Sequence, residues 1–483
     1  MRKNTHSMLM EVLNSIKAAH NEILCSNDID PYGLLADCQQ TMIDIGNILE
    51  KELQDDDLIH KIEKYCEAVF VANNDLNDFT MSEAIKLFGV IYDMVSNISV
   101  EYLIVFLPYK ASMWDSMESI YYEAVKCDKC NCKVVPIPYY DKTENGELCE
   151  FHYEGESFAK RIPIVKWDEY DIKAEQPDVV FIHNPYDAIN SVTSIHPDYY
   201  SDELKKYVGM LVYSPYFISG TYKDEKAFAN KVISPVMAYA DRIVVQSKKQ
   251  YELYEYMGIP KSHLWLCGSP KIDAYVNLSK EDITIPEFWK NKIKDKKVVV
   301  LNSSIGSLLK DTERYFYDLN RIVNVILDNK DIALIWRPHP LLKATIVSLR
   351  KEYFESFNLI IDKIIDNGGI IDDNEDNRIC ASVSDAMISD MSSWARQYIV
   401  TGKPILSLTG KKNVYENSIK TFDETGIYYW RSGVSVKSFC EMVVNGDDYE
   451  KEKRINKYMT SIVNPNGGAG KSVVIKMLEE LNA

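Results

Sequence analysis

Apolar side chains in the first part of the chain recur at helical spacing. An i, i+3, i+4, i+7 spacing places side chains on one face of an amphipathic helix. Asp30 before Pro31 has the pattern of an N-cap followed by proline at the first helical position, so a second helix is expected there. A third helix is expected from Asp57. The pattern predicts a small helical bundle over residues 1–96. The first stripe comprises Leu9, Val12, Leu13, Ile16, Ile23 and Leu24.

The sequence leaves two interpretations of this bundle open. It is either an appendage that only packs on the rest of the protein, or a platform for a partner protein or a membrane surface. The polar faces of the expected helices are acidic. An anionic bilayer would repel such faces, which disfavours direct adsorption on a membrane.

From Glu101 onward, short apolar runs alternate with helical stretches. This alternation is typical of βαβ units, which build parallel sheets. The sequence therefore predicts an α/β protein in which two Rossmann-like domains, residues 97–286 and 287–483, follow the helical extension. We expect the terminal helix to pack back across the domains. The expected strands of the first sheet are Tyr102–Leu107, Lys133–Pro138, Val179–Ile182, Leu211–Tyr213 and Ile243–Val245. Those of the second sheet are Lys297–Leu301, Ile332–Trp336, Ala386–Ile388 and Pro404–Leu408.

One strand of the second sheet ends in cationic and polar residues. The run Ile332–Trp336 is followed directly by Arg337 and His339. Open α/β sheets bind their ligands at the carboxyl ends of the strands, where these two side chains should lie. A guanidinium group there suits phosphate oxygens, because it can donate two parallel hydrogen bonds.

A second strand end carries hydroxyl groups. The run Ala386–Ile388 is followed by Asp390, Ser392 and Ser393, just before a helix expected from Trp394. Free backbone N–H groups, the positive end of the helix and two hydroxyls at one place favour phosphate oxygens. Together with Arg337, this pattern predicts a binding site for a diphosphate.

Five motifs in this part of the chain resemble a known family in order and spacing. They resemble the carboxyl-terminal domain of the CDP-glycerol glycerophosphotransferases, the polymerases of teichoic-acid-type chains. The resemblance covers roughly residues 240–480. Lys271 stands where the family usually has arginine. The motifs are Ala240–Ser247, Gly268–Asp273, Arg337–Pro340, Ser389–Ser393 and Thr401–Pro404.

The resemblance implies a fold and a reaction. The fold is GT-B, in which two Rossmann-like domains face each other across a cleft. The reaction moves a glycerophosphate, or a similar polyol phosphate, from a CDP-activated donor to an acceptor hydroxyl on a polyol-phosphate chain or glycan-lipid, and CMP leaves. No cofactor or metal is expected, because fixed cations and a helix end can stabilise the leaving group. The donor-binding residues implied are Lys271, Asn302, Ser304, Arg337, His339, Asp390, Ser392 and Ser393.

The first domain offers two histidines as the base that deprotonates the acceptor. His183 closes the strand Val179–Ile182, Asp187 could orient its ring, and His196 lies further along the same loop. A histidine of near-neutral pKa can take the proton of a hydroxyl as that hydroxyl attacks phosphorus. The alternative is that both rings only satisfy a tight turn. His339 beside the diphosphate is a third catalytic candidate. Lys110, Trp114 and Asp115, on the loop after the first strand, are weaker candidates.

The chain departs from the family at two strand ends. Teichoic-acid polymerases usually carry a Trp-His-Gly element in the first domain, and the corresponding stretch here, Leu211–Phe217, contains no histidine. Tyr216 could fill that space without acting as a base. Where the family often has Pro-Thr-Trp-Arg, the strand end here reads Asn302–Ser307. These departures leave the identity of the base and of the acceptor open.

The overall charge narrows the class of ligand. A formal charge of −17 and a pI near 5.1 argue against a nucleic-acid surface, since such surfaces present excess lysine and arginine. No apolar run reaches the roughly 18 residues of a membrane span. The amino terminus also lacks the pattern of a signal peptide. We therefore expect a cytoplasmic protein, either free or peripheral at the inner face of the membrane, with its ten cysteines reduced.

Two other functions remain as alternatives. One is a different GT-B enzyme, either a nucleotide-sugar glycosyltransferase or a sugar-nucleotide 2-epimerase, whose motifs are similar. Ser392 and Ser393, where those enzymes have glycines, favour the phosphotransferase. The other is a nucleotide-binding scaffold that has lost its base.

Two further patterns resemble known binding motifs, one for zinc and one for phosphate. Cys127, Cys130, Cys149 and His152 have the spacing of a zinc site, although free thiols are the expected state because no knuckle turn separates them. The segment Asn464–Ser472 resembles a phosphate-binding loop. Proline stands at a position where that loop needs glycine, and no apolar strand precedes it, so we expect it to cap the last helix.

Overall fold

The computed structural model describes residues 1–482 apart from 26–29, 54, 144, 160–161, 277–282, 375, 410–417 and 431–432. The described chain divides into two compact units. The first comprises residues 1–104 with 125–131, and the second comprises residues 105–124 with 132–483. None of the described helices is both long and apolar enough to cross a bilayer.

Most of the first unit is a bundle of four described helices, of which the first three were expected from the apolar spacing and the fourth was not. Each helix buries one stripe, and the stripes share one core that contains Leu13, Met42 and Ile91. The third helix begins one residue earlier than expected, because Asp55 is its N-cap and accepts a hydrogen bond from the Leu58 N–H. The helices are α1 (Lys3–Cys25), α2 (Pro31–Leu53), α3 (Asp56–Asn74) and α4 (Asp78–Ser96).

The first half of the second unit contains a six-stranded sheet of order β10-β9-β7-β5-β1-β2, in which β10, β9, β7 and β5 pair in parallel. A separate three-stranded sheet has the order β4-β3-β6. The strands are β1 (Tyr102–Leu107), β2 (Cys130–Val134), β3 (Tyr139–Lys142), β4 (Leu148–His152), β5 (Val179–Ile182), β6 (Thr193–Ile195), β7 (Met210–Tyr213), β8 (Thr221–Tyr222), β9 (Arg242–Val245) and β10 (Leu264–Leu266). The helices are α5 (Glu118–Ala124), α6 (Gly155–Ala159), α7 (Ile172–Glu175), α8 (Ser201–Leu204), α9 (Glu225–Val232), α10 (Val236–Tyr239), α11 (Lys248–Tyr256) and α12 (Pro270–Val276).

The second half is built around a parallel sheet of order β13-β12-β11-β14-β15-β17. Apolar clusters cover both of its faces, which explains why its strands are continuous apolar runs. The strands are β11 (Lys297–Ser303), β12 (Ile332–Pro338), β13 (Ile370–Ile371), β14 (Ala386–Ser389), β15 (Ile405–Ser407), β16 (Ile419–Lys420) and β17 (Tyr428–Tyr429). The helices are α13 (Glu287–Ile293), α14 (Ile305–Lys310), α15 (Thr312–Leu327), α16 (Leu342–Leu349), α17 (Phe354–Asp366), α18 (Asn377–Val383), α19 (Ser393–Ile399), α20 (Val436–Asn445), α21 (Lys451–Ser461) and α22 (Ala469–Leu481).

The expected strands are confirmed with small shifts at their ends, with one larger exception. The run expected over Lys133–Pro138 forms a strand only over Cys130–Val134. Two prolines in that run lack the backbone N–H that a sheet ladder needs, and the chain then turns into the smaller three-stranded sheet. That sheet was not predicted, because its strands are short and half exposed.

The glycine-rich segment near the carboxyl end caps the last helix, as expected. The backbone N–H groups of Ala469 and Gly470, at the start of α22, donate to the buried carboxylate of Asp273 at 3.1 and 2.8 Å. Gly470 lies against the backbone of Ser119 on α5, where a Cβ would come within 2.5 Å. The place that a phosphate would take in a phosphate-binding loop is thus occupied by a side chain of the first half.

The bundle should lose stability in mild acid because of His20. Its ring is buried and contacts the Tyr65 hydroxyl at 2.9 Å, and burial lowers its pKa from 6.5 to about 4. The unfolded chain therefore takes up this proton as the pH falls below 6.5, while the folded chain does so only near pH 4. The linkage removes about 2 kcal/mol from the free energy of unfolding at pH 5.

We expect His20→Gln, which keeps a hydrogen-bonding partner for Tyr65, to reduce this pH dependence. The measurement is hydrogen exchange of α1 and α3 peptides in the full chain at pH 7 and 5, corrected for intrinsic rates. His60→Gln is the matched control, because His60 is exposed. Equal acid sensitivity in His20→Gln and wild type would show that His20 is not the cause.

Candidate functional site

A cavity of about 380 Å³ lies where the carboxyl ends of the two sheets meet. From the first half, the segments that follow β1 and β7 contribute Tyr109, Lys110 and Tyr216 to its wall. The other wall consists of residues that follow β11, β12 and β14. Ligands of open α/β sheets bind at this position. The cavity residues of the second half include Asn302, Ser303, Ser304, Arg337, His339, Ser392, Ser393 and Trp394.

The Asn302 side chain ties together three strand ends of the second wall. In the sheet, Asn302 is the register partner of Arg337 on β12 and of Ser389 on β14. Its amide nitrogen donates to the Arg337 carbonyl at 3.2 Å, and its amide oxygen accepts from the Ser389 and Ser392 hydroxyls at 3.1 and 2.7 Å. Asn302 was predicted to bind the donor, and these bonds give it a positioning role at the cavity wall.

Arg337 is largely buried beneath the cavity, and its charge is paired. One guanidinium nitrogen donates to the Asp372 carboxylate at 2.6 Å, and another donates to the Asn374 carbonyl at 2.8 Å. The guanidinium carbon lies 5.5 Å from the centre of the Trp394 ring. These contacts fix the orientation of the guanidinium group, which leaves its remaining N–H groups for a ligand.

A single hydrogen bond determines the tautomer of His339. The Leu341 backbone N–H donates to His339 Nδ1 at 3.2 Å. A backbone N–H can only donate, so Nδ1 is unprotonated and the neutral ring carries its proton on Nε2. Burial lowers the pKa of His339, and the positive charge of Lys110 lowers it further. At neutral pH the ring is therefore a neutral hydrogen-bond donor through Nε2.

The two serines at the start of α19 already have partners within the protein. Ser392 is the N-cap, and its hydroxyl accepts from the Ala395 N–H at 3.2 Å while it donates to Asn302. The Ser393 hydroxyl accepts from the Ile218 N–H of the first half at 3.0 Å. Both serines line the cavity. Ser393 thus joins the two halves at the place where a diphosphate was expected.

Asp390 was also predicted to bind the donor, but it is not part of the described cavity lining. One of its carboxylate oxygens accepts from the Ser304 N–H, the Ser304 hydroxyl and the Ser307 hydroxyl at 2.9, 2.6 and 2.8 Å. The next residue, Met391, has a φ of 63°, a left-handed conformation that bulky residues rarely adopt. This turn carries the chain from Asp390 to the serines of the wall. Asp390 therefore holds the Ser304 loop in place from behind.

A buried ion pair of the first half lies beside the cavity, and Gln397 of the second half bonds to both of its residues. Lys271 Nζ donates to Asp115 Oδ1 at 2.5 Å, and both side chains are almost fully buried. Gln397 of α19 donates to the other Asp115 oxygen and to the Lys271 carbonyl, each at 2.8 Å. Lys271 and Gln397 also line the cavity. Lys271, which was predicted to bind the donor, therefore borders the cavity, and the Asp115 carboxylate balances its charge.

His183, a predicted catalytic residue, lies behind the first wall. Its side chain is completely buried, Nε2 accepts from the Tyr109 N–H at 3.2 Å, and Nδ1 contacts the Ser116 hydroxyl at 2.9 Å. Burial lowers its pKa from 6.5 to about 3, with a further contribution from the charge of Lys271. Both ring nitrogens are engaged. Asp187, expected to orient this ring, instead accepts from the Ser201 N–H and hydroxyl.

His196 lies among aromatic rings and is not part of the described cavity lining. Its ring centre is 5.8 Å from that of Tyr140 and 5.5 Å from that of Trp167. Its Nδ1 accepts from the Asp198 N–H at the start of a short 3-10 helix. Of the three predicted catalytic histidines, the described cavity lining includes His339 alone.

Lys110 is the cation of the first wall. Its ammonium nitrogen lies 4.4 Å from the centre of the Tyr139 ring and 5.8 Å from that of Tyr109. Among the described residues, no carboxylate lies within ion-pair distance of this nitrogen. The signal that identified Arg337, a cation directly after a strand, also applies to Lys110 after β1. The sequence analysis ranked Lys110 below the histidines, together with Trp114 and Asp115.

The zinc pattern in the cysteines is not assembled. All the described cysteines are free thiols. His152 instead lies 3.1 Å from the Asp141 carboxylate and beside Glu150, and the ligand atoms of these three lie within 4.8 Å of one another. Asp141 lies on the central strand β3 and the other two on the edge strand β4, all partly in solvent.

Two sheets whose carboxyl ends border one cavity define the GT-B fold class. Within that class, residues 222–458 match the family model of CDP-glycerol:poly(glycerophosphate) glycerophosphotransferases. The matched segment is slightly under half of the chain. It contains every predicted donor-binding residue, from Lys271 to Ser393, whereas Tyr109, Lys110 and Tyr216 precede it.

Two of the solved structures compared with this chain share its fold at low sequence identity. S. aureus MnaA in complex with UDP is 14% identical over 79% of this chain and 97% of that chain, with a TM-score of 0.51. A Listeria monocytogenes protein described as a UDP-N-acetylglucosamine 2-epimerase is 13% identical over the same shares, with a TM-score of 0.52. The wall teichoic acid polymerase TagF is 12% identical over 89% of this chain and 100% of that chain, with a TM-score of 0.47. No curated protein sequence matched the chain.

Arg337 should contribute to nucleotide binding through the N–H groups that Asp372 and Asn374 leave free. Removing it alone would strand the buried Asp372 carboxylate, so the test compares Asp372→Asn with the double variant Asp372→Asn/Arg337→Met. We expect the double variant to bind CDP more weakly by about 1.5–3 kcal/mol, the scale of a charged hydrogen bond. Calorimetry provides the measurement.

The exposed Arg321 on α15 supplies the control, because Arg321→Ala also removes a guanidinium group and should leave CDP affinity unchanged. Equal CDP affinity of the single and double Asp372 variants would mean that Arg337 does not bind the nucleotide.

Proposed function

We propose that this protein transfers glycerophosphate, or a similar polyol phosphate, from a CDP-activated donor to an acceptor hydroxyl in the synthesis of a cell-surface polymer. The observation that carries the proposal is the composition of one cavity wall. Arg337, His339, Ser392 and Ser393 border the same space, and all four lie in the segment that matches the glycerophosphotransferase family.

The donor side supports displacement at phosphorus. Arg337 and the neutral His339 ring line the cavity, and both are oriented by backbone and carboxylate contacts. Preorganised donors of this kind stabilise the charge that develops on the leaving phosphate. We assign Arg337, His339, Ser392 and Ser393 to the diphosphate, with Lys271 beside it.

Asn302, Asp390 and Ser304, which were also predicted to bind the donor, have a supporting role in this proposal. Asn302 fixes the relative positions of the strand ends, and Asp390 holds the Ser304 loop through three hydrogen bonds. A carboxylate that faced a diphosphate would repel it, so an Asp390 that is turned away from the cavity agrees with anion binding.

The proposal for the acceptor concerns the first-half wall of the cavity. We propose an acceptor hydroxyl on a polyol-phosphate chain or a glycan-lipid, and peripheral contact with the inner face of the membrane for a lipid-linked acceptor. The positions of His183 and His196 give no support to either as the base. His183 instead fixes the backbone of Tyr109. Tyr216, whose hydroxyl pKa is raised by burial, fills the wall as a neutral group.

The decisive experiment is CMP release from CDP-glycerol and CDP-ribitol in the presence of a glycerophosphate-primed acceptor, with UDP-N-acetylglucosamine as the competing substrate. We expect CMP only from the CDP-linked donors. Epimerisation of the UDP-sugar would instead identify a 2-epimerase. Nucleotide binding without any turnover would support the scaffold alternative.

Substitution of His339 should lower turnover because its Nε2–H is assigned to the donor phosphate. We expect His339→Ala to reduce CMP release by roughly 10²-fold. His339→Gln should retain more activity, because its amide can still donate a hydrogen bond. Full activity of His339→Ala would exclude the assignment.

A separate comparison tests the two first-half histidines as bases. A true base contributes about 10²–10⁴-fold to turnover. We expect His196→Ala to keep turnover near the wild-type level, because the ring lies outside the described cavity wall. His183→Asn should lower the melting temperature as well as the rate, since it disturbs a buried hydrogen-bond pair. A 10²-fold loss of turnover in His196→Ala, with unchanged donor affinity and melting temperature, would restore His196 as the base.

A further inference from the structure

Lys110 is held in place more firmly than an ordinary surface lysine. The backbone N–H before it, that of Tyr109, donates to His183 Nε2 at 3.2 Å. The backbone N–H after it, that of Ala111, donates to Glu154 Oε2 at 2.8 Å. The polypeptide on both sides of Lys110 is therefore fixed by buried or half-buried side chains.

The ammonium group of Lys110 is fixed by the same network. The Tyr139 hydroxyl donates to the other oxygen of Glu154 at 2.9 Å, which orients the Tyr139 ring. Lys110 Nζ lies 4.4 Å from the centre of that ring. A cation over an aromatic face is stabilised without any loss of its hydrogen-bond donors. Glu154 thus positions both the backbone and the charged end of Lys110.

The charge of Lys110 faces the donor wall, the side of the cavity formed by second-half residues such as Asn302, Arg337 and His339. Lys110 and His339 both line the cavity, and the positive charge of Lys110 lowers the pKa of His339. Burial lowers the pKa of Lys110, and the nearby carboxylates of Glu154 and Asp141 oppose this shift. The two carboxylates favour the protonated ammonium without forming an ion pair with it. Its hydrogen-bond donors stay available to an anion.

We propose that Lys110 binds a phosphate oxygen of the substrate from the first-half wall, opposite His339. The inference rests on the proposed function for the identity of the substrate, and it adds a residue outside the segment that matches the family. The phosphate belongs either to the donor, as the group in transfer, or to the acceptor chain. The chemistry is the same in both cases, a fixed ammonium that donates to a phosphate oxygen.

The test compares Lys110→Met, which removes the charge, with Lys110→Arg, which keeps it. Lys206→Met is the matched control, because Lys206 is an exposed lysine of the same half that pairs with Glu203. Affinities for inorganic pyrophosphate and CDP-glycerol are measured by calorimetry on the full chain, and the acceptor KM by CMP release. Circular dichroism melting verifies that each variant is folded.

We expect Lys110→Met to weaken one phosphate-bearing substrate by roughly tenfold to a hundredfold. A loss of affinity for pyrophosphate and CDP-glycerol identifies the donor phosphate. A raised acceptor KM with unchanged donor affinity identifies an acceptor phosphate. Lys110→Arg should stay within a few-fold of wild type in either case, and Lys206→Met should not differ from it.

Three results would overturn the inference: unchanged donor affinity and acceptor KM in folded Lys110→Met, equal losses in Lys110→Met and Lys110→Arg, or an equal loss in Lys206→Met. Failure of the proposed function gives a different result. If wild type neither binds CDP-glycerol nor releases CMP, yet pyrophosphate binding depends on Lys110, the donor assignment fails and the phosphate contact stands.

Discussion

The donor wall depends on the register of three parallel strands at Asn302. Its in-register neighbours are Arg337 and Ser389, so β11, β12 and β14 end at one level. Because of this register, the Asn302 amide can hydrogen-bond both the Arg337 carbonyl and the Ser392 hydroxyl, which fixes the positions of these groups relative to one another. A slip of one residue in β11 would turn Asn302 to the other face of the sheet, and a slip in β12 or β14 would do the same to Arg337 or Ser389.

The two walls of the cavity differ in what they share with known proteins. The wall after β11, β12 and β14 lies inside the segment that matches the glycerophosphotransferase family, while Lys110 and Tyr216 lie outside it. A nucleotide diphosphate presents the same oxygens in every reaction of this class. The wall that binds it can therefore be the same in proteins that use different acceptors. The first-half wall has no histidine among its described lining residues. In the proposed function, this difference favours a donor shared with the family and a distinct acceptor.

The sequence predicted the strand ends well and the directions of their side chains poorly. Buried apolar runs followed by polar residues located β5, β12 and β14, because period and turn chemistry are local properties. His183 follows β5 as closely as Arg337 follows β12, yet the segment after β1 covers it and donates the Tyr109 N–H to its ring. Asp390 likewise turns to the Ser304 loop. Such contacts join residues far apart in the chain, and a local pattern carries no information about them.

Paired charges explain how an acidic protein can hold an anionic ligand here. Arg337 is compensated by Asp372 and Lys271 by Asp115, both at buried positions. An unpaired buried charge would be costly, whereas a paired one keeps its free N–H groups in fixed directions. Binding on this wall then depends on oriented donors more than on net charge. Lys110 of the first-half wall has the carboxylates of Glu154 and Asp141 nearby, and within the described part of the chain none of them lies at ion-pair distance from its ammonium nitrogen, so its N–H groups stay available to an anion.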